Sequence, residues 1–148
     1  MQKLKFPYYS FRLKNSENNT QIFDEFRKKF VALKPEEWVR QNCLKYLIYE
    51  KKYPKTLISV EKNFVVNGLK KRYDIVILNP KGTIYCVIEC KAPSVKITQK
   101  TFDQIAKYNR TLNAKYLMVT NGLNHYHCKI NENGYTFLDT LPKYSKNQ

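Results

Sequence analysis

Two short apolar segments, separated by a run of turn-forming residues, constrain the fold of this chain more than any other feature. Residues 73–78 form a β-branched run, residues 79–82 (NPKG) are turn formers, and residues 83–91 form a second run that Pro93 ends. Two such runs joined by turn residues predict a pair of adjacent strands. The rest of the chain must be organised around this pair.

Charged side chains fall on one part of this strand pair. Side chains alternate between the faces of a strand, so Glu89 and Lys91 point the same way, while Cys86 and Cys90 point the other way. The first strand opens with Asp74. Carboxylates hold a hard cation through oxygen, and a lysine positions or helps to deprotonate the attacking water. These residues are therefore the predicted metal ligands (Asp74, Glu89) and catalytic groups (Asp74, Glu89, Lys91) of phosphodiester cleavage.

The elements around this pair predict an α/β fold with a mixed sheet. Pro35, followed by two acids, begins a helix that runs to about residue 51, and Thr98 is the N-cap of a helix that reaches Leu112. Asn67-Gly68 is a hairpin turn that makes the central strands part of an antiparallel meander. The strand–helix–strand order that follows predicts a parallel crossover strand beside the Glu89 strand. The first strand of the central pair extends back to residue 69, and the other predicted strands cover residues 58–66, 115–120, 126–130 and 135–138.

The length of 148 residues fits a single domain, with an extension over 1–32, a core over 33–141 and a frayed tail over 142–148. Aromatic and basic residues alternate over 3–14, which favours an edge strand, and the polar residues 15–21 predict a loop. The extension has two open placements, over the core or near a bound nucleic acid.

Composition narrows the class of partner. The chain has 27 Lys and Arg against 12 Asp and Glu, a formal net charge of +15. A field of this strength suits a polyanion, although charge also aids solubility. No segment combines a basic face with a free apolar one, so a membrane partner is not expected. Lys70, Lys71 and Arg72 directly precede Asp74, where they either grip a phosphate or keep the hairpin end in water.

Cysteine and histidine spacing gives no zinc motif. The four cysteines are expected to be buried free thiols of a cytoplasmic protein. His125 and His127 alternate on a late strand, and we expect them at the surface or facing a nucleic acid, without a metal.

These motifs together resemble the PD-(D/E)XK nuclease superfamily, with Asp74 and the Glu89-Cys90-Lys91 triplet in its pattern and Tyr73 in place of the proline. More narrowly, the chain is similar to the N-terminal nuclease domain of type I restriction enzyme R subunits. That similarity covers residues 30–141 and is carried by five segments, which are PEEWVRQN, NGLKKRYDIVI, IECKAP, KTFDQIAKYN and VTNG.

The resemblance implies a restriction-endonuclease-like core flanked by helices and a Mg²⁺-dependent DNA endonuclease in which Mn²⁺ substitutes. It implies a metal role for Glu37, whose alternative is a helix-dipole partner on a solvated face. A backbone carbonyl near Cys90 completes the implied metal ligands. Gln104 and Tyr108 match a QxxxY element that supports the site or touches DNA, and both are implied catalytic residues; their alternative is a solvated helix flank.

A nucleic-acid-binding or assembly module of the same fold, without turnover, is the main alternative function. The sequence contains no GxxxxGK[ST] motif, so ATP-driven translocation would have to come from a partner. The expected partners are DNA and either a motor subunit, a specificity subunit or a second copy of the chain.

Overall fold

The computed structural model describes residues 1–146, which form two helices and nine strands over two sheets. The helices are α1 (Pro35–Tyr49) and α2 (Gln99–Leu112), and a single 3-10 turn covers Lys55–Leu57. The strands are β1 (Leu13–Ser16), β2 (Asn19–Asp24), β3 (Lys29–Ala32), β4 (Ile58–Val66), β5 (Leu69–Leu78), β6 (Ile84–Cys90), β7 (Tyr116–Thr120), β8 (His125–Asn131) and β9 (Gly134–Leu138).

The larger sheet has six strands in the order β4-β5-β6-β7-β8-β9. Every neighbouring pair is antiparallel except β6 and β7, which are parallel and are joined through α2. Glu89 pairs with Val119 in the register of that parallel pair. The predicted mixed sheet, with its meander and its crossover strand beside the Glu89 strand, is confirmed.

The turn between β4 and β5 shows why the sequence folds in this way. Asn67 and Gly68 have φ values of 51° and 76°. Both residues are therefore left-handed, as a type I′ hairpin requires, and asparagine and glycine tolerate this conformation best. The turn fixes the register of β5, with Ile75 opposite Val60 on one side and opposite Ile88 on the other.

The two helices cover opposite faces of the sheet. Val39, Cys43 and Leu47 of α1 are fully buried in the same cluster as Ile75 and Ile88. The other face packs against α2 in a second cluster, which contains Tyr73, Val76, Val87, Phe102, Ile105 and Leu117. Both faces of β6 are covered, which explains why its sequence is almost continuously apolar. The charged residues at its end are Glu89 and, directly after the strand, Lys91.

Two predictions about the start of the chain are corrected. The predicted loop over 15–21 is wrong, because these polar residues form β1, a two-residue turn and β2, with Ser16 paired to Asn19. The edge strand favoured over 3–14 is confined to β1, since no strand precedes Leu13 in the described chain. Residues 1–32 thus supply a three-stranded sheet, β1-β2-β3.

The frayed tail is wrong over residues 142–144. The carbonyl of Pro142 accepts a hydrogen bond of 2.7 Å from the Tyr53 hydroxyl, and the Tyr144 amide donates to the Lys51 carbonyl at 2.8 Å. Leu141 is 1% exposed, so it anchors the start of this segment. The last two residues of the predicted tail, 147 and 148, lie outside the described residues.

The four cysteines are buried and free, as expected. Neither helix of the described chain has the length and apolar content that a membrane crossing requires.

Candidate active site

Asp74 and Glu89 lie side by side on adjacent strands. Ile75 of β5 is opposite Ile88 of β6, so the next residues along the two antiparallel strands, Asp74 and Glu89, are neighbours. Lys91 follows the end of β6, and its amide donates a hydrogen bond of 2.8 Å to the Thr120 carbonyl on β7. The structure therefore brings together the three residues that the sequence pattern selects.

Asp74 is held at both of its oxygens. Its Oδ2 accepts a hydrogen bond of 2.9 Å from the Cys90 amide, and its Oδ1 accepts one of 2.8 Å from Nη2 of Arg40 on α1. The first bond ties the carboxylate to the Glu89 strand. The second brings a buried guanidinium to the site, which the sequence pattern did not predict.

Glu89 is buried, with 9% of its surface exposed, and its Oε1 has no hydrogen-bond partner within residues 1–146. Burial is the main cause that raises its pKa to about 8, repulsion from Asp74 adds to it, and Lys71 and Lys91 act in the opposite direction. Burial and the neighbouring Asp74 carboxylate therefore favour the protonated form of Glu89.

This shift makes the metal-free fold sensitive to pH. Below the ordinary pKa of 4.5, both the folded and the unfolded chain carry the Glu89 proton. Between that value and about 8 only the folded chain keeps it, so the free energy of unfolding falls as the pH rises through this window. A cation that pairs with the ionised carboxylate would offset this loss.

Lys91 is half-buried, and it forms no ion pair with any carboxylate of the described chain. It lies in the electrostatic field of Glu89 and lowers the pKa of that carboxyl. An ammonium that stands beside two carboxylates without pairing to either is available to an anionic ligand.

Glu37, the predicted third metal ligand, is engaged in a buried network of charges. Its Oε1 accepts hydrogen bonds from Nη2 of Arg27 at 2.7 Å and from Nη1 of Arg40 at 2.9 Å, and its Oε2 accepts one from Gln41 at 3.2 Å. The same Arg40 nitrogen contacts Oε1 of Glu61 at 2.7 Å. These contacts do not favour a metal at Glu37, because they make it a partner of the arginine that holds Asp74.

Glu36, one residue earlier, lies in the electrostatic field of Asp74. Partial burial and repulsion from Asp74 raise its pKa, whereas Arg40 and Lys91 lower it. A helix turns by 100° per residue, so the two acids after Pro35 point in different directions. Glu37 faces the rest of the protein, with 8% of its surface exposed, and Glu36 is exposed.

The three basic residues before Asp74 have separate surroundings. Lys70 is exposed, and Arg72 is also largely exposed but pairs through Nε with Oε2 of Glu61 at 2.5 Å. Lys71 is half-buried and lies over the ring of Tyr108, with its Nζ 3.8 Å from the ring centroid. The predicted basic cluster is therefore not one uniform patch.

Gln104 and Tyr108 are both on the outer side of α2. Tyr108 is 42% exposed and reaches the site through its contact with Lys71. Gln104 is exposed and forms no hydrogen bond with the rest of residues 1–146. The two side chains share a helix flank, as their spacing predicts, and a catalytic role for each stays a prediction.

His125 and His127 of β8 have structural roles. The prediction that both lie at the surface is wrong for His127. His127 is 6% exposed, and its pKa is lowered to about 4 by burial first and then by His125 and Lys51. Nε2 of His125 donates to the Lys5 carbonyl at 2.6 Å, so its Nδ1 accepts from the Thr120 hydroxyl at 2.7 Å. These bonds tie β7 and β8 to the N-terminal segment.

The chemistry of the donor set fits a hard divalent cation. The described residues hold no group of three His, Cys, Asp or Glu side chains placed for a metal. Mg²⁺, however, binds through one or two carboxylates and keeps several waters. The unpartnered Oε1 of Glu89, beside Asp74, is the donor that such an ion would satisfy.

Comparison with known proteins identifies one matching family. The family model described as "Type I restriction enzyme R protein N terminus (HSDR_N)" matches residues 35–142, which is well over half of the chain. The matched range contains α1, α2 and the whole six-stranded sheet. No curated protein matches the chain.

Proposed function

This chain belongs to the family of type I restriction enzyme R protein N-terminal domains, and on that premise we propose that it is a metal-dependent deoxyribonuclease of the PD-(D/E)XK type. The observation that carries the proposal is the cross-strand pair of Asp74 and Glu89, with the unpaired ammonium of Lys91 at the end of the same strand. The family match supports a restriction context, in which the substrate is a phosphodiester bond of DNA.

Asp74, Glu89 and the Cys90 carbonyl would hold Mg²⁺, and Mn²⁺ would substitute, since it prefers similar oxygen ligands. The ion would supply Lewis-acid stabilisation of the phosphate and a lower pKa for the attacking water. The Cys90 amide and Arg40 fix the orientation of the Asp74 carboxylate, which supports a ligand that is already positioned for an ion.

Lys91 would orient the attacking water and balance the charge that develops on the phosphate. An ammonium in a partly buried site interacts with such charge more strongly than one in water. Gln104, which is exposed on α2, is open to contact with the bound DNA from the helix side.

The charge of the chain supports DNA as the polyanion. The family name supports further subunits as partners, and we propose a motor subunit, a specificity subunit or a second copy of this chain in the cytoplasm.

A DNA-binding domain without nuclease activity is the second candidate function. The bond from Arg40 to Asp74 favours it, because a guanidinium already neutralises one predicted metal ligand.

Metal binding is expected to stabilise the fold in a manner that depends on Asp74 and on pH. At about ten times its Kd, an ion that binds only the folded chain adds about 1.4 kcal/mol, which raises Tm by about 3–5 °C. The rise should be larger at about pH 8.5 than at about pH 6.5, because the ion must displace the proton that Glu89 keeps up to a pKa of about 8. Differential scanning fluorimetry with Mg²⁺ or Mn²⁺ measures both effects.

Asp74→Asn should abolish the rise, and Glu89→Gln, which removes the other carboxylate ligand, should leave at most a small rise that is the same at both pH values. Asp139→Asn, which changes an exposed carboxylate near the end of β9, is the matched control and should behave like the wild type. An equal rise in the wild type and in Asp74→Asn would exclude a metal from this position.

A further inference from the structure

Lys71 is half-buried, whereas its two basic neighbours, Lys70 and Arg72, are exposed. Its side chain is half-buried against two aromatic rings, with Nζ 3.8 Å from the Tyr108 centroid and 5.3 Å from the Tyr73 centroid. Tyr73 lies in the cluster that packs against α2, and Lys71, two residues before it, shares that face of β5. Glu89 lies two residues after Val87 of the same cluster, so it also points to this side of the sheet. Lys70 is exposed, one residue away and on the opposite face.

The charges around Lys71 are those of the candidate active site. Partial burial lowers its pKa, Glu89 and Asp74 act against that change, and Lys91 adds to it. No carboxylate of residues 1–146 lies within ion-pair distance of Lys71. Its ammonium is therefore ordered by a ring and remains free to bind an anion.

Charge balance indicates which anion suits the site. Asp74 is paired with Arg40, and no carboxylate of residues 1–146 pairs with Lys71, so the Lys71 ammonium charge is uncompensated even without a bound ion. A phosphate group of nucleic acid carries the complementary negative charge, and cations that are already in position bind it without losing side-chain freedom. An exposed lysine such as Lys70 has to lose that freedom on binding.

We propose that Lys71 is a phosphate-binding residue of this site and that Tyr108 is a positioning residue, whose ring holds the Lys71 ammonium over the bound strand. The proposal rests on the proposed function for the nature of the ligand. It gives the tyrosine of the QxxxY element a role that depends on its ring and not on its hydroxyl. It also separates Tyr108 from Gln104, which forms no hydrogen bond with Lys71 in the described chain.

A double-mutant cycle in DNA affinity tests the proposal. Lys71→Met should weaken the binding of a short duplex in EDTA about tenfold and lower the slope of log affinity against log salt by about one. Tyr108→Phe keeps the ring and should bind like the wild type. Tyr108→Leu removes the ring and should lose about as much affinity as Lys71→Met. The double variant should be no weaker than Lys71→Met.

Two variants make the cycle specific. Lys70→Met removes the same charge from the exposed neighbour and should weaken binding less than about threefold. Lys71→Arg keeps a cation that stacks on the ring and should retain most of the affinity. If Tyr108→Leu does not fold, Tyr108→Gln, which also lacks the ring, takes its place in the cycle. The proposal is overturned if Tyr108→Leu binds like the wild type, if its loss adds fully to that of Lys71→Met, or if Lys70→Met and Lys71→Met lose the same amount.

Cleavage measured on the same variants separates this proposal from the proposed function. A wild-type protein that binds but never cuts, with the expected cycle intact, would contradict the nuclease and leave the Lys71 site standing. A wild-type protein that cuts, with Lys71→Met at wild-type affinity and rate, would contradict the Lys71 site and leave the nuclease standing.

Discussion

Lys91→Met is expected to lower the rate of DNA cleavage by a factor of about 100 to 1000, with DNA affinity within about threefold of the wild type. Lys91 is half-buried, has no carboxylate partner in the described chain, and lies at the end of the strand that carries Glu89. Its charge therefore acts on the charge that develops in the transition state, which changes the rate more than the binding. Single-turnover cleavage and a binding titration in EDTA measure the two effects separately.

Lys96→Met is the matched control for this prediction. Lys96 is an exposed lysine of the loop between β6 and α2, so its replacement by methionine lowers the net charge of the chain by the same amount as Lys91→Met. Its cleavage rate should stay within about threefold of the wild type. If Lys91→Met cuts as fast as this control, Lys91 is not a catalytic residue and the proposed nuclease mechanism is wrong.

The largest effect on stability is expected at Arg40. Its guanidinium contacts Asp74, Glu37 and Glu61 at 2.8, 2.9 and 2.7 Å, and the side chain is 8% exposed. Removing one member of a buried ion-pair network costs about 3–5 kcal/mol, because the remaining charges stay buried without compensation. Arg40→Met should therefore lower the free energy of unfolding by about that amount, as measured by urea denaturation at neutral pH.

Two comparisons show whether the loss comes from the network. Lys107→Met, which removes a charge from the exposed side of α2, should stay within about 0.5 kcal/mol of the wild type. Arg40→Lys keeps the charge but has no planar fork to bridge three carboxylates, so an intermediate loss is expected. A loss below about 1 kcal/mol for Arg40→Met would mean that the network contributes little to the fold.

The order of the central elements could be predicted because each one depends on neighbouring residues. The Asn67-Gly68 turn, the Pro35 helix start and the Thr98 cap are local signals, and in the structure the Thr98 hydroxyl accepts a hydrogen bond from the Thr101 amide. The strand–helix–strand order then leaves one favoured crossover. The alternation of side chains placed Glu89 and Lys91 on one face, and Asp74 was selected as the acid at the start of the neighbouring strand.

The surroundings of the site could not be predicted, because they depend on contacts between distant residues. Arg40 reaches Asp74 across 34 positions of the sequence. Glu61 meets Arg40 from within β4 with a φ of 59°, a conformation that no sequence rule assigns to a glutamate inside a strand. The choice between Glu36 and Glu37, and the contact of Lys71 with Tyr108, likewise depend on how α1 and α2 are rotated against the sheet.

The small N-terminal sheet was missed for a different reason. Strands are usually recognised from one buried face, and all four residues of β1 are exposed. Its polar sequence therefore reads as a loop. Arg27, in the turn after β2, links this sheet to Glu37 of α1 and so to the network around Asp74.

Incubation of a supercoiled plasmid with the purified protein tests the central claim most directly. With Mg²⁺, the wild-type protein should convert the plasmid to nicked or linear DNA, and EDTA should stop this conversion. Asp74→Asn should leave the plasmid supercoiled under both conditions. Cleavage that persists in EDTA or in Asp74→Asn, or a wild-type protein that leaves the plasmid intact with Mg²⁺, would contradict a metal-dependent nuclease at this site.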